Sequence, residues 1–458
     1  MIKFLTGCLL LCFSIAALFA VDQRPNLVII MTDDQGYGDV GFNGCKDIPT
    51  PHIDRIAREG VRFTNGYVTY PVCSPSRAGL ITGRYQGRFG YRRNPTLNPF
   101  DEMAGLPLEE ENIAEILHKV GYHNGIIGKW HLGTHPKFRP NARGFDEFYG
   151  FVAGGHRYFP EDLIYSDIES VDRKGGWYNT KLLCNETRVE TDEYLTDEFS
   201  NEGVDFIERN AEKPFFLYLT YNAPHTPIQA SQKYLDRFTH IEDKLRRTYA
   251  AMVSAVDDGV GRVIDKLDEH DLAENTLVFF LSDNGGATNN GSINAPLRGK
   301  KGMVYDGGLR VPFAFRWTGK IPSGVDYDHP VSSMDMLGTM VGLTGVEIAA
   351  DRSLDGVNLM PFLTGENSSA PHDYLFWRMF DKEHTAVRSG SDKLVTIDPE
   401  SKTSLYRISD DIDESADISN ANAERTDLLD NKLKEWSSQL KPAIFDPLGT
   451  WDPSVSRE

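Results

Sequence analysis

The chain has 458 residues, of which 40% are hydrophobic and 25% are charged, a composition typical of a globular protein with room for one large domain and a smaller one. Its formal net charge is −19 at pH 7. Nucleic-acid binding depends on a basic surface, so we expect no nucleic-acid partner, and an anionic ligand would need a local basic pocket.

The N-terminus is an apolar run that starts after one lysine, MIKFLTGCLLLCFSIAALFA. A run of this kind that ends in small residues is typical of a secretory signal peptide, which we assign to residues 1–20; a membrane anchor is the alternative. We therefore expect an exported protein, periplasmic or extracellular, or lysosomal or secretory in a eukaryote. No later stretch approaches the roughly 20 apolar residues of a spanning helix, so stable membrane insertion is not expected.

Four short apolar runs predict strands that are buried on both faces. They are NLVIIMTDDQG (26–36), GYHNGIIGKWHLG (121–133), PFFLYLTYNAPH (214–225) and TLVFFLSDNGG (276–286). Helical patterns lie between them, at residues 51–60, 112–121 and 249–270. Alternating strands and helices predict an α/β fold with a mostly parallel central sheet flanked by helices, which we assign to a catalytic domain at residues 21–345.

Two segments depart from this alternation. Residues 157–200 have no clear period and are interpreted as a long insertion near the rim of the sheet. After residue 345, the stretches DYLFWRMF, HTAVRSGSDKLVTI and SLYRIS predict antiparallel strands, and RTDLLDNKLKEWSSQL predicts a helix. Residues 346–458 are therefore expected to form a smaller C-terminal antiparallel α+β subdomain.

Polar side chains end each of the four apolar runs, at the rim where parallel sheets bind ligands. Asp33, Asp34, Asp283 and Asn284 offer only oxygen ligands, which suit Ca²⁺ or Mg²⁺ and do not suit zinc. Capping of loops and helices is the alternative for either pair alone. Two such pairs on parallel strands favour a metal site.

Basic groups fall near the same rim, and together they predict a pocket for an oxyanion. They are Arg77, Lys129, His131, His225 and Lys301, with Arg310 nearby. Cys73 begins a predicted helix, where the helix N-terminus and Arg77 favour an anion. A thiolate is nevertheless a poor match for an oxygen-liganded cation, so the local pattern does not explain the cysteine.

The stretch CSPSRAGLITGR resembles the type I, formylglycine-dependent sulfatase signature, Cys-x-Pro-x-Arg with a glycine-containing tail, in the alkaline-phosphatase-like superfamily. Other segments that resemble this family follow in the family's order over nearly the whole mature chain. They are PNLVIIMTDDQGYGDVG before the signature, and GYHNGIIGKWHLG, RGFDEFYGF, NAPHTP, FFLSDNGG and PLRGKKGMVYDGGLRVP after it.

The resemblance implies that a formylglycine-generating or other sulfatase-maturing enzyme oxidises Cys73 to formylglycine, whose hydrate supplies an oxygen nucleophile. It implies one Ca²⁺ per chain, held by Asp33, Asp34, Asp283, Asn284 and modified Cys73. It also implies that Arg77 and His131 position the nucleophile. Lys129, His225 and Lys301 would bind the sulfate, and either His225 or Lys301 would protonate the leaving alcohol.

The resemblance further implies a sulfated carbohydrate substrate, for which the sequence offers candidate contacts in the insertion and the C-terminal strands. These are His156, Arg157, Tyr158, Tyr165, Trp177, Tyr178, Trp377 and Arg378, because aromatic and arginine side chains suit a sugar ring with anionic groups. Ordinary packing is the alternative for each. Gly155 stands before His156 where some family members have serine, so the role of His156 is open. Asp306 stands where glutamate is common.

With Cys73 modified, Cys45 and Cys184 remain in the mature chain, and we expect them to pair. Two alternative functions stay open. One is a phosphatase or phosphonate monoester hydrolase of the same superfamily, and the other is a non-catalytic sulfated-glycan-binding protein.

Overall fold

The computed structural model describes residues 24–397 and 403–445; the signal peptide assigned to residues 1–20 lies outside them. The strands are β1 (Asn26–Thr32), β2 (Val61–Phe63), β3 (Gly66–Tyr67), β4 (His123–Lys129), β5 (Glu147–Phe151), β6 (Leu182–Cys184), β7 (Thr187–Val189), β8 (Phe215–Thr220), β9 (Thr276–Ser282), β10 (Phe313–Arg316), β11 (Val325–Tyr327), β12 (Val331–Ser332), β13 (Leu375–Met379), β14 (His384–Ser389), β15 (Asp392–Thr396) and β16 (Ser404–Arg407).

The helices are α1 (Pro51–Arg58), α2 (Cys73–Thr82), α3 (Ile113–His118), α4 (Leu195–Asn210), α5 (Gln232–Leu235), α6 (Lys244–Glu269), α7 (Asp306–Leu309), α8 (Asp335–Thr344), α9 (Met360–Leu363) and α10 (Ala423–Ser437). Across the parts of the chain that the structure describes, no helix combines the length and apolarity needed to cross a membrane.

Ten strands form one large sheet in the order β11-β2-β10-β9-β1-β8-β4-β5-β6-β7. The central strands β9, β1, β8, β4 and β5 are parallel to one another. Antiparallel pairing appears outside them, at β10 on one side and at β6 and β7 on the other. The predicted α/β fold with a mostly parallel sheet is confirmed.

The central strands are buried because their side chains feed two separate cores. In β1, Leu27, Ile29 and Met31 join the core on one face of the sheet, whereas Val28 and Ile30 join the core on the other face with helices α4 and α6. When both faces of a strand are covered, polar and apolar residues do not alternate along it, because no face meets water. This explains why β1, β8 and β9 are unbroken apolar runs.

The segment at residues 157–200 is less irregular than its sequence pattern indicated. It contains the hairpin of β6 and β7, which extends the edge of the sheet beside β5, and the start of α4. Before β6 the chain runs through short 3-10 turns and brings Tyr178 against Gly155.

A separate four-stranded antiparallel sheet follows, in the order β13-β14-β15-β16. Helix α10 packs on it through Leu429, Leu433 and Trp436, which meet Val387 and Leu394 of the sheet in one buried cluster. The predicted small C-terminal antiparallel sheet with its helix is therefore confirmed.

Buried charges join this small sheet to the large domain. Lys393 of β15 lies 2.5 Å from an Asp306 carboxylate oxygen and 2.9 Å from a Glu414 oxygen, and the three side chains are fully buried. The Tyr67 hydroxyl donates a hydrogen bond to Asp306 at 2.8 Å. Burial, with the charge of Asp306, raises the pKa of Glu414 to about 7 although Lys393 lowers it.

The change Lys393→Met should therefore destabilise the fold strongly, because it leaves two buried carboxylates with no cation between them. We expect a loss of about 3–5 kcal/mol in the free energy of unfolding, measured by chemical denaturation. The matched control is Lys432→Met on α10, which removes an exposed ion pair with Glu435 and should cost less than about 1 kcal/mol. Equal losses in both variants would contradict a joint made by buried charge.

Candidate active site

The four central strands end in polar side chains, and the structure brings these together. Strands β9, β1, β8 and β4 are neighbours in the sheet, so the residues after their carboxyl ends share one rim. Helix α2 starts beside them. The resulting cluster consists of Asp33, Asp34, Cys73, Arg77, Lys129, His131, His225, Asp283, Asn284 and Lys301, the residues that the sequence placed there.

Arg77 crosses the base of the cluster and is fully buried. Its Nε and one terminal nitrogen donate to the same carboxylate oxygen of Asp283 at 3.0 and 2.9 Å. Its other terminal nitrogen donates to the Lys129 carbonyl at 3.0 Å and to the Thr220 hydroxyl. One guanidinium therefore fixes the ends of β4, β8 and β9 relative to one another.

The other two carboxylates pair with lysines. The ammonium of Lys129 contacts Asp33, and that of Lys301 lies 2.7 Å from an oxygen of Asp34. Burial raises the pKa of Asp34, but the charges of Lys301 and His225 outweigh it and bring the pKa down to about 2. The cluster thus holds carboxylates and cations in contact, away from water.

One acceptor in the cluster has no partner. Asn284 donates its amide nitrogen to Asp34 at 2.7 Å, and within the described residues its buried carbonyl oxygen accepts no hydrogen bond. Burial and the charge of Asp33 raise the pKa of Asp283 to about 6, against the effect of Arg77. An acceptor oxygen without a donor, beside a carboxylate whose ionisation is disfavoured, fits a bound cation.

The potential metal-ligand atoms in the cluster lie close to one another. Asp33, Asp34, Cys73 and His225 each present one potential ligand atom, and these four atoms lie within 4.8 Å of one another. Together with the carboxylate of Asp283 and the amide oxygen of Asn284, the set is dominated by oxygen, as a calcium site requires.

Cys73 is the first residue of α2 and is buried. Its Sγ lies 3.8 Å from Asp33 Oδ1 and accepts a hydrogen bond from the Lys301 ammonium at 3.2 Å. Burial raises the pKa of the thiol to about 12, and the opposing effects of Lys129 and Lys301 do not offset it. An unmodified Cys73 is therefore a neutral thiol at physiological pH and a poor nucleophile.

His131 is held in an uncommon conformation. Its φ is 60°, in the left-handed region that residues other than glycine rarely adopt. Both nitrogens of its buried ring lack a hydrogen-bond partner within the described residues. Burial lowers the pKa of this histidine well below its usual range, and Lys129 and Arg77 lower it further. It is a neutral imidazole whose two ring nitrogens are available for hydrogen bonds to a further group.

His225 stands at the outer side. Its Nδ1 lies 2.5 Å from the Thr226 carbonyl, which makes Nδ1 the protonated nitrogen of the neutral ring and leaves Nε2 facing Asp34 at 3.7 Å. Burial lowers the pKa of His225 to about 4, with Lys301 assisting and Asp34 opposing.

The cluster is open on one side only. The side chains of Lys301 and His225 are 21% and 11% exposed, whereas those of Arg77, Lys129, Asp33 and Asp283 are fully buried. A ligand from solvent therefore meets Lys301 and His225 first.

Comparison with known sequences identifies this arrangement. The sequence profile described as Sulfatase matches residues 25–346. The chain belongs to the sulfatase family. A second profile, described as N-sulphoglucosamine sulphohydrolase, C-terminal, matches residues 299–441. The N-acetylgalactosamine-6-sulfatase of Mus musculus is 37% identical over 386 residues, which cover 80% of this chain and 72% of the mouse protein.

Solved structures agree. The crystal structure of Ps i-CgsB in complex with k-i-k-neocarrahexaose has a TM-score of 0.87 and 38% identity, and the match covers 92% of this chain and 94% of the other. The PsFucS1 sulfatase from Pseudoalteromonas sp. has a TM-score of 0.78 and 26% identity, with 91% and 90% covered. The chain is accordingly a sulfatase, a sulfuric ester hydrolase with the alkaline-phosphatase-like fold.

Two of the residues expected to bind substrate in this sulfatase are placed elsewhere. Trp377 is buried in the core of the small sheet, where its indole nitrogen donates to the Val68 carbonyl at 2.7 Å. His156 is buried, with its two ring nitrogens 2.9 and 2.8 Å from the carbonyls of Arg157 and Thr180. Both are structural, and the expectation that they contact substrate is wrong.

Tyr158 is buried as well, whereas Arg157 and Tyr178 keep an exposed surface. Arg157 is half-buried and follows the chain beside Tyr178, whose carbonyl accepts its backbone N–H at 2.9 Å. The Tyr178 ring occupies the space of a side chain at Gly155, since a Cβ there would lie 2.7 Å from the ring. The glycine in place of serine thus makes room for a tyrosine at the edge of the cluster.

Arg310 is not part of the cluster. Its Nε donates to the Thr64 carbonyl at 2.6 Å, and its guanidinium lies 3.6 Å from Asp306. It belongs with the buried charges that join the small sheet to the large domain.

The expected disulfide is absent, because Cys45 and Cys184 are both free. Cys45 lies against Asp47, with its Sγ 3.3 Å from a carboxylate oxygen. Cys184 is exposed on β6, paired with Tyr149 of β5. The two thiols lie on unrelated elements.

Sequence reasoning missed two polar groups that support the site. Thr220, the last residue of β8, accepts from Arg77, and Asn94 accepts the Ser74 backbone N–H at 3.1 Å. A threonine that ends an apolar strand at the rim was a usable signal for the first. Nothing local distinguishes Asn94 from other loop asparagines.

The three thiols of this sulfatase should differ in reactivity when the protein is made without a maturing enzyme. Native protein treated with iodoacetamide at pH 8 should be labelled at exposed Cys184 first, at half-buried Cys45 more slowly, and at Cys73 at least about a hundredfold more slowly, because its raised pKa leaves almost no thiolate. Peptide mass spectrometry measures this, and denatured protein is the control. Rapid native labelling of Cys73 would contradict the geometry.

Proposed function

We propose that this sulfatase hydrolyses a sulfate ester of a carbohydrate, with an oxygen nucleophile made from Cys73 and one bound Ca²⁺. The observation that carries the proposal is the surrounding of Cys73, where a neutral thiol lies among carboxylates, lysines and an acceptor oxygen with no donor. A thiol in this position is neither a thiolate nucleophile nor a suitable ligand for a hard cation.

Conversion of Cys73 to formylglycine removes both conflicts, because the hydrated aldehyde provides an oxygen that serves as nucleophile and as metal ligand. Neutral His131, with its ring nitrogens unpartnered, is the group that accepts a proton there. Arg77 holds Asp283 in place and opposes the rise of its pKa that burial causes. The conversion requires a sulfatase-maturing enzyme. We also propose that residues 1–20 direct export of the protein to the periplasm or outside the cell, or through the secretory pathway in a eukaryote.

Asp33, Asp34, Asp283 and Asn284 would hold the Ca²⁺ together with modified Cys73. When bound, the cation stabilises negative charge on the transferring group and the nucleophile. The unpartnered carbonyl oxygen of Asn284 and the raised pKa of Asp283 support this set of ligands.

The exposed end of the cluster would bind the sulfate group. Lys301 and His225 are the members that a ligand reaches, and Lys129 adds positive charge from below. Lys301 has a pKa well above its usual range: burial opposes this, and Asp34 with Cys73 raises it. Lys301 therefore holds a proton for the departing sugar oxygen, whereas His225 is neutral in this geometry.

A sulfated carbohydrate is the substrate class that the comparisons support. The curated relatives include N-acetylgalactosamine-6-sulfatases, and the neighbour Ps i-CgsB was crystallised with k-i-k-neocarrahexaose. In this chain Tyr178, at the edge of the cluster, and half-buried Arg157 are the side chains proposed to contact the sugar.

Protein made with its maturing enzyme should carry formylglycine at residue 73. The peptide that contains Cys73 should be lighter by about 18 Da than the unmodified peptide, as the exchange of SH₂ for O requires, and Cys73→Ala should release no sulfate while keeping its unfolding midpoint. Mass spectrometry and sulfate release from sulfated oligosaccharides measure this. Normal turnover by Cys73→Ala, or preferential release of phosphate from matched phosphate esters, would contradict the proposal.

Asp283→Ala should lose metal and activity together, because it removes a proposed ligand and the partner of Arg77. We expect the bound calcium to fall from one per chain to less than about 0.2, with at least a hundredfold loss of kcat, by elemental analysis and sulfate release. The matched control is Asp326→Ala, which removes an exposed carboxylate paired with Arg62. Stoichiometric zinc without calcium in active protein would refute the assignment.

A further inference from the structure

Two arginines beside the active-site loop share one aromatic ring. The guanidinium carbon of Arg92 lies 3.3 Å from the centroid of Phe380, and that of Arg378 lies 4.5 Å from the same centroid. Arg378 comes from β13 of the small sheet, whereas Arg92 comes from the loop that follows α2. Two like charges are therefore gathered at the boundary between the two parts of the protein.

Neither guanidinium has a carboxylate partner within residues 24–397 and 403–445, and the Nε atoms of both are buried without a hydrogen bond. The neighbouring Arg93 differs, because it pairs with Asp381 at 2.5 Å. In a chain with 67 acidic residues against 48 basic ones, most buried arginines have such a partner. Burial, and after it the charge of Arg378, lower the pKa of Arg92 to about 10, in agreement with a guanidinium that has no carboxylate beside it.

Both segments border the loop that leads into Cys73 at the start of α2. The Tyr70 hydroxyl donates to the Arg92 carbonyl at 2.7 Å, and Asn94 accepts the backbone N–H of Ser74, next to Cys73. On the other side, Lys382 donates to the Gly302 carbonyl at 3.3 Å. Gly302 follows Lys301, and its N–H donates to Pro71 at 2.7 Å.

We propose that Arg92 and Arg378 form a second anion subsite, which takes a sulfate or carboxylate group on the sugar other than the sulfate that is cleaved. This rests on the proposed function and narrows its substrate class to carbohydrates with at least two anionic groups. A guanidinium presents parallel N–H donors that match either anion. Phe380 supports both guanidiniums, so little side-chain freedom is lost when the anion binds.

The test is binding to the Cys73→Ser variant, confirmed by mass as unmodified, so that no probe is consumed. The probes are N-acetylgalactosamine 6-sulfate, N-acetylgalactosamine 4,6-disulfate, and a hexuronate linked to N-acetylgalactosamine 6-sulfate. The first carries one anion, the second adds a sulfate and the third adds a carboxylate. Calorimetry gives the Kd of each, and the ratio between the one-anion and two-anion probes is the readout.

We expect at least one two-anion probe to bind about tenfold or more tightly than the one-anion probe, as one or two charge-assisted contacts provide. Arg92→Ala and Arg378→Ala should each bring that ratio close to one. If the arginine variants lower the Kd ratio only for the disulfate, the subsite binds sulfate. If they lower it only for the uronate, the subsite binds carboxylate. Arg407→Ala is the matched control, an exposed arginine at the far edge of the same small sheet, and it should leave the ratio unchanged.

A ratio near one before mutation, a ratio that survives both arginine changes, or an equal effect of Arg407→Ala overturns the proposal. Thermal unfolding checks each variant, and Arg92→Gln and Arg378→Gln replace any alanine variant that unfolds. Absence of sulfate release by the mature protein would refute the proposed function, whereas this binding ratio is measured without turnover, so the two failures are distinct.

Discussion

The buried contacts among Arg77, Asp283, Asp33 and Lys129 are the constraint on which the rest of the structure depends. These side chains are fully buried, and burying an unpaired charge would cost several kcal/mol. Each charge is tolerated only while its partners stay within hydrogen-bond distance. The parallel order of β9, β1, β8 and β4 satisfies that condition, because it brings Asp283, Asp33, Thr220 and Lys129 from four strand ends to one place, where Arg77 of α2 meets them.

Charge balance in this cluster suits an anionic substrate. Asp33, Asp34 and Asp283 are matched by Arg77, Lys129 and Lys301, so the protein side chains alone come close to neutrality. The proposed Ca²⁺ would make the site positive within a chain whose net charge is −19. Local charge in a site with little water has far more effect than the same charge at the surface.

The sequence was sufficient to predict the strands and the residues at their ends. Apolar runs that stop at Asp33, Lys129, Asp283 and, beyond β8, His225 identify both the element and the rim, since parallel strands end at the same edge. The sequence was not sufficient to predict the role of a side chain whose contacts are with residues far away in the chain. Alternation in β13 places Trp377 and Arg378 on opposite faces, but the pattern does not say that Val68 accepts the indole N–H of the first.

The same limit explains the other errors. The ring of His156 contacts the Thr180 carbonyl, and Arg310 donates to the Thr64 carbonyl. Both partners are backbone carbonyls far away in sequence, and no sequence pattern marks them. The expected disulfide between Cys45 and Cys184 follows only from their being the two remaining cysteines. That reasoning says nothing about the distance between the two thiols.

Recognition in this sulfatase has to act at short range. Net charge repels a polyanionic sugar at a distance, but screening limits that effect to about 8 Å at physiological ionic strength. Discrimination then falls to groups that touch the ligand, and we propose two sets of these. Lys301 and His225 lie at the mouth of the cluster, and Arg92 and Arg378 lie beside it on Phe380. Because the second set draws one arginine from each part of the protein, the docking of the small sheet through Lys393 and Asp306 bears on what the site accepts as well as on stability.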